Sequence, residues 1–287
     1  MVTYFNSIEE GGIVFSVDSI ILDASITKPE IRDLLDFCIT TIANGNEINV
    51  RSWEGRGAGS FRKQFLFQVD DNRSFWLGAE LIGAKTWPDR FRLDFNPNKL
   101  GADPTLNLLR EFIVRNSRSA LCRISRFDLA IDIPIDRNNC FLVKDRRLYI
   151  ERRHGAEYTQ YLGSKSSTVG RVKLYNKQLE AGLDYPLTRL ELTLDPQKSI
   201  SEVSFPTVYL LDSPSSAESN MKVSDTDRFV LNALLQGYGT LNDLGRKTRK
   251  KMEALLSNFT RKVELPTKIY DKILCQVGSY LNAESTP

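Results

Sequence analysis

The sequence contains very little histidine. A single residue of this type, His154, occurs among the 287 residues. Mechanisms that require two histidine ligands on a metal ion, or a pair of catalytic histidines, are therefore excluded. His154 itself lies in the basic stretch ERRHGAEY, and we interpret it as a surface or phosphate-contacting residue.

Clustered cysteines and long apolar runs are also absent. The four cysteines lie far apart and never form a CxxC pair, which argues against a zinc site and favours buried thiols in a reducing cytosol. No apolar run approaches the length of a membrane span, and the N-terminus MVTYFNSIEEGG lacks the pattern of a signal peptide. We therefore expect a cytoplasmic protein without a membrane partner.

Common nucleotide-binding and hydrolase motifs are missing too. There is no P-loop, no GxGxxG after a strand and no GxSxG. The net charge is only +3, but positive charge gathers in three runs, which modestly favours a polyanionic partner. These runs are Arg51-Arg56-Arg62-Lys63, Lys144-Arg146-Arg147-Arg152-Arg153 and Arg246-Lys247-Arg249-Lys250-Lys251.

The hydrophobic patterns predict an α+β fold with a largely antiparallel central sheet. Predicted strands cover 14–22, 61–69, 73–82, 89–96, 123–133, 147–150, 158–163, 169–176 and 188–195, and predicted helices cover 30–43 and 104–117, with a short helix after Lys177. The Ser- and Pro-rich stretch 197–222 is interpreted as a linker or long loop between a domain at 1–196 and a helical module at 223–287. In that module a helix begins at Ser224, and two more span 241–262 and 266–282.

Two predicted strands carry acidic residues on one face. In RFDLAIDI, Arg126, Asp128 and Asp132 share a face because strand side chains alternate. In TRLELTL, Arg189 and Glu191 do the same. These strands are either ordinary half-exposed strands or a source of the hard oxygen ligands that Mg²⁺ or Mn²⁺ prefers.

A tyrosine ends the predicted strand VGRVKLYN. Tyr175 lies on its polar face with Arg171 and Lys173, and Lys177 follows two positions later. A phenol is a poor nucleophile at neutral pH, but nearby cations favour the phenolate. The alternative is an aromatic residue at a strand end with lysines extending past it to solvent.

The succession RFDLAIDI, YLGSKSSTVGRVKLYNKQLE and TRLELTL resembles the Rep_trans and phage or plasmid rolling-circle initiator families, which include related relaxases and, more distantly, the filamentous-phage nicking protein. The earlier FRLDFNPNKLG is similar to their strand that ends in an Asn-rich turn. The resemblance covers about residues 14–196 and implies an HUH-endonuclease-like fold with ferredoxin-like repeats.

The resemblance implies a nickase that uses a tyrosine nucleophile and one divalent metal, Mg²⁺ or Mn²⁺, to form a 5′-phosphotyrosine and a free 3′-OH. By this resemblance Tyr175 is the nucleophile, with Tyr161 in QYLGS as the alternative, and Lys177 and Arg189 contact the phosphate. Asp128, Asp132 and Glu191 are the candidate metal ligands, and Asp18 is a weaker one.

The expected partners are double-stranded origin DNA, single-stranded DNA at the nick site, a second copy of the chain and a host helicase. Lys173, Arg171 and the basic run from Arg246 to Lys251 are candidate DNA contacts, and bases are expected to stack on Trp53, Trp76 or Trp87. The alternative function is a non-catalytic, sequence-specific DNA-binding regulator on the same fold.

Overall fold

Alternating apolar residues build the central sheet. In the computed structural model Phe127, Leu129 and Ile131 of the strand Arg123–Ile133 are fully buried on one face, as the period-two pattern predicts. The structure describes residues 7–25, 33, 36, 40, 49–57, 60–83, 90–117, 122–155, 157–165, 167, 169–211, 223–258 and 260–282.

The described residues form two antiparallel sheets. The strands are β1 (Ile8–Glu10), β2 (Ile13–Ser25), β3 (Asn49–Glu54), β4 (Phe61–Gln68), β5 (Ser74–Leu81), β6 (Arg90–Phe95), β7 (Arg123–Ile133), β8 (Cys140–Leu142), β9 (Tyr149–His154), β10 (Glu157–Leu162), β11 (Val169–Asn176), β12 (Thr188–Leu194), β13 (Val208–Leu211) and β14 (Thr260–Lys262). The large sheet has 11 strands in the order β3-β4-β5-β6-β2-β7-β12-β11-β10-β9, with β1 also paired to β2. The small sheet has the order β14-β13-β8.

Several helices accompany the sheets. They are α1 (Pro97–Leu100), α2 (Pro104–Asn116), α3 (Lys177–Ala181), α4 (Asp225–Leu235), α5 (Arg246–Asn258) and α6 (Thr267–Ser279). Short 3-10 turns occupy Arg137–Asn139, Ile200–Glu202 and Leu241–Asp243. None of these helices is long and apolar enough to span a membrane.

Two apolar cores hold the elements together. The main core lies on one face of the large sheet, where α2 and α6 pack on it through apolar stripes such as Ile269, Ile273 and Val277. A smaller core joins α4, α5 and the small sheet around Leu231, Met252 and Leu255, together with Phe141 and Leu211. The α+β class with a large antiparallel sheet is therefore confirmed, whereas the HUH-endonuclease-like arrangement stays a prediction.

Some predicted elements differ from the structure. The predicted helix over 241–262 divides into the 3-10 turn Leu241–Asp243, helix α5 and strand β14, because the main chain of Thr260–Lys262 pairs with β13. Strand β13 lies inside the predicted linker 197–222, of which 212–222 lie outside the described residues. The predicted helix 30–43 is described only at residues 33, 36 and 40. The last helix packs on the main core instead of on α4 and α5.

Candidate functional site

The candidate site lies on the polar face of the central strands. Strand register places Arg189 of β12 opposite Asp132 of β7 on one side and opposite Tyr175 of β11 on the other. Two residues further along β12, on the same face, Glu191 lies opposite Lys173 of β11. Residues that are far apart in the sequence therefore share one small area because their strands are neighbours in the sheet.

Arg189 is the centre of a buried ion-pair network. Its Nε and Nη2 donate to the two carboxylate oxygens of Asp132 over 2.6 and 2.7 Å, and its Nη1 donates to Asp18 Oδ1 over 3.3 Å. Asn96 Nδ2 donates to the same oxygen of Asp18 over 3.1 Å. Burial opposes the charge of Arg189, but the hydrogen bonds and charge of Asp132 outweigh it, so the pKa of the guanidinium is raised.

Tyr175 and Glu191 form a phenol–carboxylate pair beside this network. Tyr175 is only 5% exposed, and its Oη donates to Glu191 Oε1 over 2.6 Å. The Lys173 Nζ lies 3.8 Å from the centre of the tyrosine ring and 3.4 Å from Glu191 Oε2. Burial and the adjacent carboxylate raise the pKa of Tyr175, and burial likewise raises the pKa of Glu191. The phenol is thus protonated, and a proton acceptor lies within hydrogen-bond reach of it.

Tyr161 lies on the next strand of the same face. It pairs with Lys173 in the register of β10 and β11, and it is half-buried, so its ring is more accessible than that of Tyr175. The guanidinium groups of Arg152 and Arg171 lie 5.7 and 5.8 Å from the centre of its ring. Both candidate nucleophiles are therefore present on one face, with cations beside each.

Two further carboxylates, Asp128 and Asp94, lie on the same polar face beyond the Arg189 network. Asp128 pairs with Arg126 over 3.1 Å, and Asp94 accepts a weak hydrogen bond from Ser19 Oγ over 3.5 Å. Burial raises the pKa of Asp94; the charge of Arg126 opposes this shift and the charge of Asp128 adds to it.

The candidate metal ligands do not fit a three-carboxylate site as they are arranged. In the part of the chain that the structure describes, no group of three carboxylate, thiol or imidazole side chains converges where a metal ion could be held. Asp132 is bound at both oxygens by Arg189, Glu191 accepts from Tyr175, and Asp128 pairs with Arg126 on another part of the face. We derive no chemical step through a metal from these residues.

The cation that lies over the phenol ring is Lys173. Lys177 begins helix α3 and its ammonium group hydrogen-bonds to Glu180 in that helix. Lys173 lies over the ring of Tyr175 because the two residues are two apart on one strand face. The sequence analysis placed both lysines beside the phenol, and the contact of Lys173 with the ring agrees with it, whereas the phosphate contact by Lys177 stays a prediction.

The predicted DNA-binding run on α5 has two kinds of basic residue. Arg246, Lys247 and Lys250 are exposed. Arg249 instead donates to the main-chain carbonyls of the turn before the helix, and Lys251 binds Asp227 of α4 over 2.6 Å. Arg249 and Lys251 are therefore engaged within the protein, whereas the three exposed residues present their charges to solvent.

The aromatic residues predicted to stack on bases differ in exposure. Trp53 is 43% exposed on the edge strand β3, whereas Trp76 is half-buried against the ring of Phe61. Trp87 lies outside the described residues.

Sequence reasoning missed three members of the site, namely Asp94, Asn96 and Ser19. A signal was present, because Arg90, Arg92 and Asp94 alternate with Phe91, Leu93 and Phe95 and so predict one polar strand face. This face comes close to Asp18 because β6 pairs with β2. The local sequence pattern does not predict which strands pair.

No family model matches the sequence, and no curated protein matches it. A solved structure of a rolling circle replication initiator protein from Geobacillus stearothermophilus is similar to this chain with a TM-score of 0.40 and 13% sequence identity. The alignment covers 94% of this chain and 97% of that chain. Similarity at this level assigns neither a family nor a function to the chain.

Proposed function

We propose that this chain is a rolling-circle replication initiator or relaxase that nicks one DNA strand through a tyrosine. The observation that carries the proposal is the pair of Tyr175 and Glu191, in which a phenol donates to a carboxylate over 2.6 Å with Lys173 against the ring. A nucleophile next to a base, with cations close by, is the arrangement that nucleophilic attack on a phosphodiester requires.

In the proposed reaction Glu191 accepts the phenolic proton of Tyr175, and the phenolate oxygen attacks the scissile phosphorus. The bond between tyrosine and phosphorus forms while the bond from phosphorus to the 3′ oxygen breaks, and that oxygen takes up a proton. The products are a 5′-phosphotyrosine and a free 3′-OH. A carboxyl group with a raised pKa suits this role, because its pKa lies closer to neutral pH.

Tyr161 remains the alternative nucleophile in this proposal. Its half-buried ring is more accessible than Tyr175, and Arg152 and Arg171 supply the positive charge that would stabilise a phenolate or bind the phosphate. If Tyr161 is the nucleophile, Tyr175 and Glu191 stabilise the neighbouring strand and take no part in the reaction.

A divalent metal, Mg²⁺ or Mn²⁺, also stays a prediction. The carboxylates are engaged by protein cations in the structure, so a metal would require at least one of them to change partner. No step above depends on it, and a chelator in the nicking reaction tests it separately.

One observation favours the second candidate function, a non-catalytic DNA-binding regulator. The phenol of Tyr175 is buried with a raised pKa, and the neighbouring acidic groups are paired with Arg189, Arg126 and Lys173. An ion-pair network of this type also occurs as a purely structural feature of a sheet.

The test is a search for a covalent adduct. The protein is incubated with single-stranded DNA from the replication origin of its own genetic element in the presence of Mn²⁺, and denaturation-resistant products are mapped by mass spectrometry. We expect an adduct on Tyr175 that the Tyr175→Phe variant loses, while Tyr185→Phe, which changes an exposed tyrosine in the loop before β12, retains it.

The other outcomes are equally informative. An adduct on Tyr161 retains the function and changes the nucleophile, and cleavage without an adduct indicates attack by water. Tight binding to origin DNA without cleavage would instead establish the regulator.

A further inference from the structure

A cavity of about 490 Å³ lies on the opposite face of the sheet from the candidate site. Its walls come from β9, β10, the turn Arg137–Asn139 and helix α4. Tyr158 and Gln160 of β10 line it, whereas Tyr161 points to the other face because adjacent strand residues alternate. A volume of this size is within the range of small-molecule and nucleotide sites.

The cavity wall contains three arginines, two carboxylates and aromatic rings, so its net charge is positive. Two guanidinium groups lie over the ring of Tyr158, with the carbon centre of Arg137 at 4.7 Å and that of Arg153 at 4.5 Å from the ring centre. Arg228 on α4 completes the set, held by Asp225 over 2.7 Å and by Asn139 over 3.0 Å. Arginine side chains that are fixed in this way present planar donors suited to a phosphate group.

Arg137 is the most deeply placed of these cations. It is 4% exposed, and it donates to the Cys140 carbonyl over 2.8 Å and to the Gln160 side chain. Its Nε has no hydrogen-bond partner among the described residues. Among the described residues no carboxylate forms an ion pair with Arg137, although Glu151 lies close enough to act on its charge, so the guanidinium adds to the positive potential of the cavity.

One exposed aromatic ring, that of Phe229, lies on the cavity wall, and a second, that of Tyr238, follows the end of the same helix. Phe229, which lines the cavity, is 74% exposed, and Tyr238, two residues after α4 and its C-cap, is 70% exposed. The Lys144 Nζ lies 4.2 Å from the centre of the Tyr238 ring. A single exposed aromatic residue is common, but an exposed ring on the wall of a cavity that also holds fixed arginines is the combination that binds unpaired nucleic acid by stacking.

We propose that this cavity binds one nucleotide of single-stranded DNA, with its base against Phe229 and its phosphate at Arg153 and Arg228. The inference rests on the proposed function for the choice of DNA as the ligand. It deepens that function by assigning a holding site for the displaced or incoming strand on the face away from the nucleophile. Stacking on an aromatic ring and contacts to a phosphate do not depend on which base is bound, so we expect little sequence preference.

The experiment measures the affinity of the full chain for a fluorescent oligo(dT) that contains no origin sequence. Phe229→Ala is expected to weaken binding about ten- to a hundredfold, because stacking on one aromatic side chain is worth roughly 1–3 kcal/mol per base. Phe229→Trp is expected to retain it. Arg153→Ala is expected to weaken binding and to reduce the salt dependence by about 0.7 in the slope of log K against log salt.

A matched control is Leu108→Ala, which shortens another exposed apolar side chain on the distant helix α2. Its affinity for oligo(dT) is expected to stay the same, and thermal melting of every variant verifies that the fold is intact. Ultraviolet cross-linking of bromodeoxyuridine oligonucleotides adds a readout on the unmodified protein, with adducts expected on Phe229 or Tyr158. Free dTMP as a competitor separates a strand-binding site from a site for a mononucleotide.

The outcomes separate this inference from the proposed nicking function. If Phe229→Ala loses oligo(dT) binding and no tyrosine adduct ever forms, the cavity assignment holds and the nicking proposal fails. If adducts form normally while Phe229→Ala and Arg153→Ala bind oligo(dT) as tightly as the unmodified chain, the cavity assignment is overturned. Competition by dTMP as strong as that by the oligonucleotide would also overturn it, in favour of a mononucleotide site.

Discussion

Arg189 donates two parallel hydrogen bonds to Asp132 in a layer that solvent hardly reaches. The two side chains are 4% and 1% exposed, and the donor–acceptor distances are 2.6 and 2.7 Å. The attraction within a buried ion pair offsets the cost of removing the charges from water only while both charges are present. The pair therefore ties β12 to β7 at the point where the candidate site lies.

Replacing Asp132 with leucine is expected to reduce the free energy of unfolding by about 3–5 kcal/mol, because the charge of Arg189 is left buried without its bidentate partner and keeps only the longer contact to Asp18 as a hydrogen-bonded ion pair. Urea denaturation followed by circular dichroism measures this change. Adding Arg189→Met is expected to restore most of the loss, since an apolar pair of similar volume is often as stable as a buried ion pair.

The exposed pair of Lys198 and Glu202 supplies the control for this prediction. Lys198→Met is expected to change stability little, because surface ion pairs are screened by solvent. Equal destabilisation in the single Asp132 variant and the double variant would show that the uncompensated charge is not the cause of the loss.

The central strands could be predicted from the sequence, whereas the edges could not. Strand β7 was predicted over 123–133, the range observed, because its apolar residues alternate from Phe127 to Ile133. Strand β3 was missed because five of its six residues are exposed, so no apolar alternation marks it. Strand β14 was predicted as the end of a helix, because three residues are too few to show a strand pattern that distinguishes them from the helical stretch before them.

The same distinction applies to the candidate site. Alternation placed Tyr175, Arg189 and Glu191 on polar faces, because side-chain direction is a local property of a strand. Which residues meet depends on register between strands, and register arises from packing of the apolar face. The pairing of Asp132 with Arg189, which removes Asp132 from the set of metal-ligand candidates as arranged, was therefore not visible in the sequence.

Glu191 gives a prediction on the pH dependence of stability. Its pKa is raised by burial, against the opposing effects of Lys173 and Tyr175. A carboxyl group whose folded pKa exceeds its unfolded value of about 4.3 contributes stability that is fully present below that value and is lost as the pH rises through the folded pKa. Glu191→Gln is therefore expected to become less destabilising, relative to the unmodified chain, as the pH rises from about 4 to 7.

Glu202→Gln is the control of opposite sign. Its hydrogen bond with Lys198 and those from Ser199 lower the pKa of Glu202 to about 2, so its contribution is present above the unfolded pKa and disappears as the pH falls. Urea denaturation at a series of pH values measures both variants. A Glu191→Gln difference that is constant with pH would contradict the raised pKa and weaken its proposed role as a base.

Gly170 provides a prediction about the backbone at the start of β11. Its φ is +79°, and a Cβ atom at this position would lie 2.8 Å from the carbonyl oxygen of Ser204. Gly170→Ala is expected to cost about 1–3 kcal/mol of unfolding free energy, because backbone strain and a contact with main-chain atoms add together.

The comparison for this change is Gly182→Ala at the end of helix α3. Its φ is +62°, but a Cβ atom there would meet nothing within 4 Å. Only the left-handed backbone opposes this substitution, so it is expected to be the milder one in thermal or urea unfolding. Equal effects at the two positions would mean that the chain near Ser204 moves away without cost.

We expect the exposed basic residues of α5 to bind DNA and the engaged ones to stabilise the fold. Variants of the two groups test this difference. The triple variant Arg246→Ala, Lys247→Ala, Lys250→Ala removes three exposed charges and is expected to leave stability within about 0.5 kcal/mol of the unmodified chain. It is expected to reduce the slope of log K against log salt for duplex origin DNA by about 0.9 for each phosphate contact that is lost.

Arg249→Ala is expected to do the reverse. It removes the donor to the carbonyls of Leu241, Asn242 and Leu244, so we expect a loss of about 1–3 kcal/mol of stability for partly buried acceptors left without a partner. Its salt slope is expected to match the unmodified chain, because this guanidinium is already engaged within the protein. Fluorescence anisotropy over a range of salt concentrations gives the slopes, and urea denaturation gives the stabilities. A triple variant with an unchanged slope would remove α5 from the DNA-binding surface, since its most exposed basic residues would then make no phosphate contact.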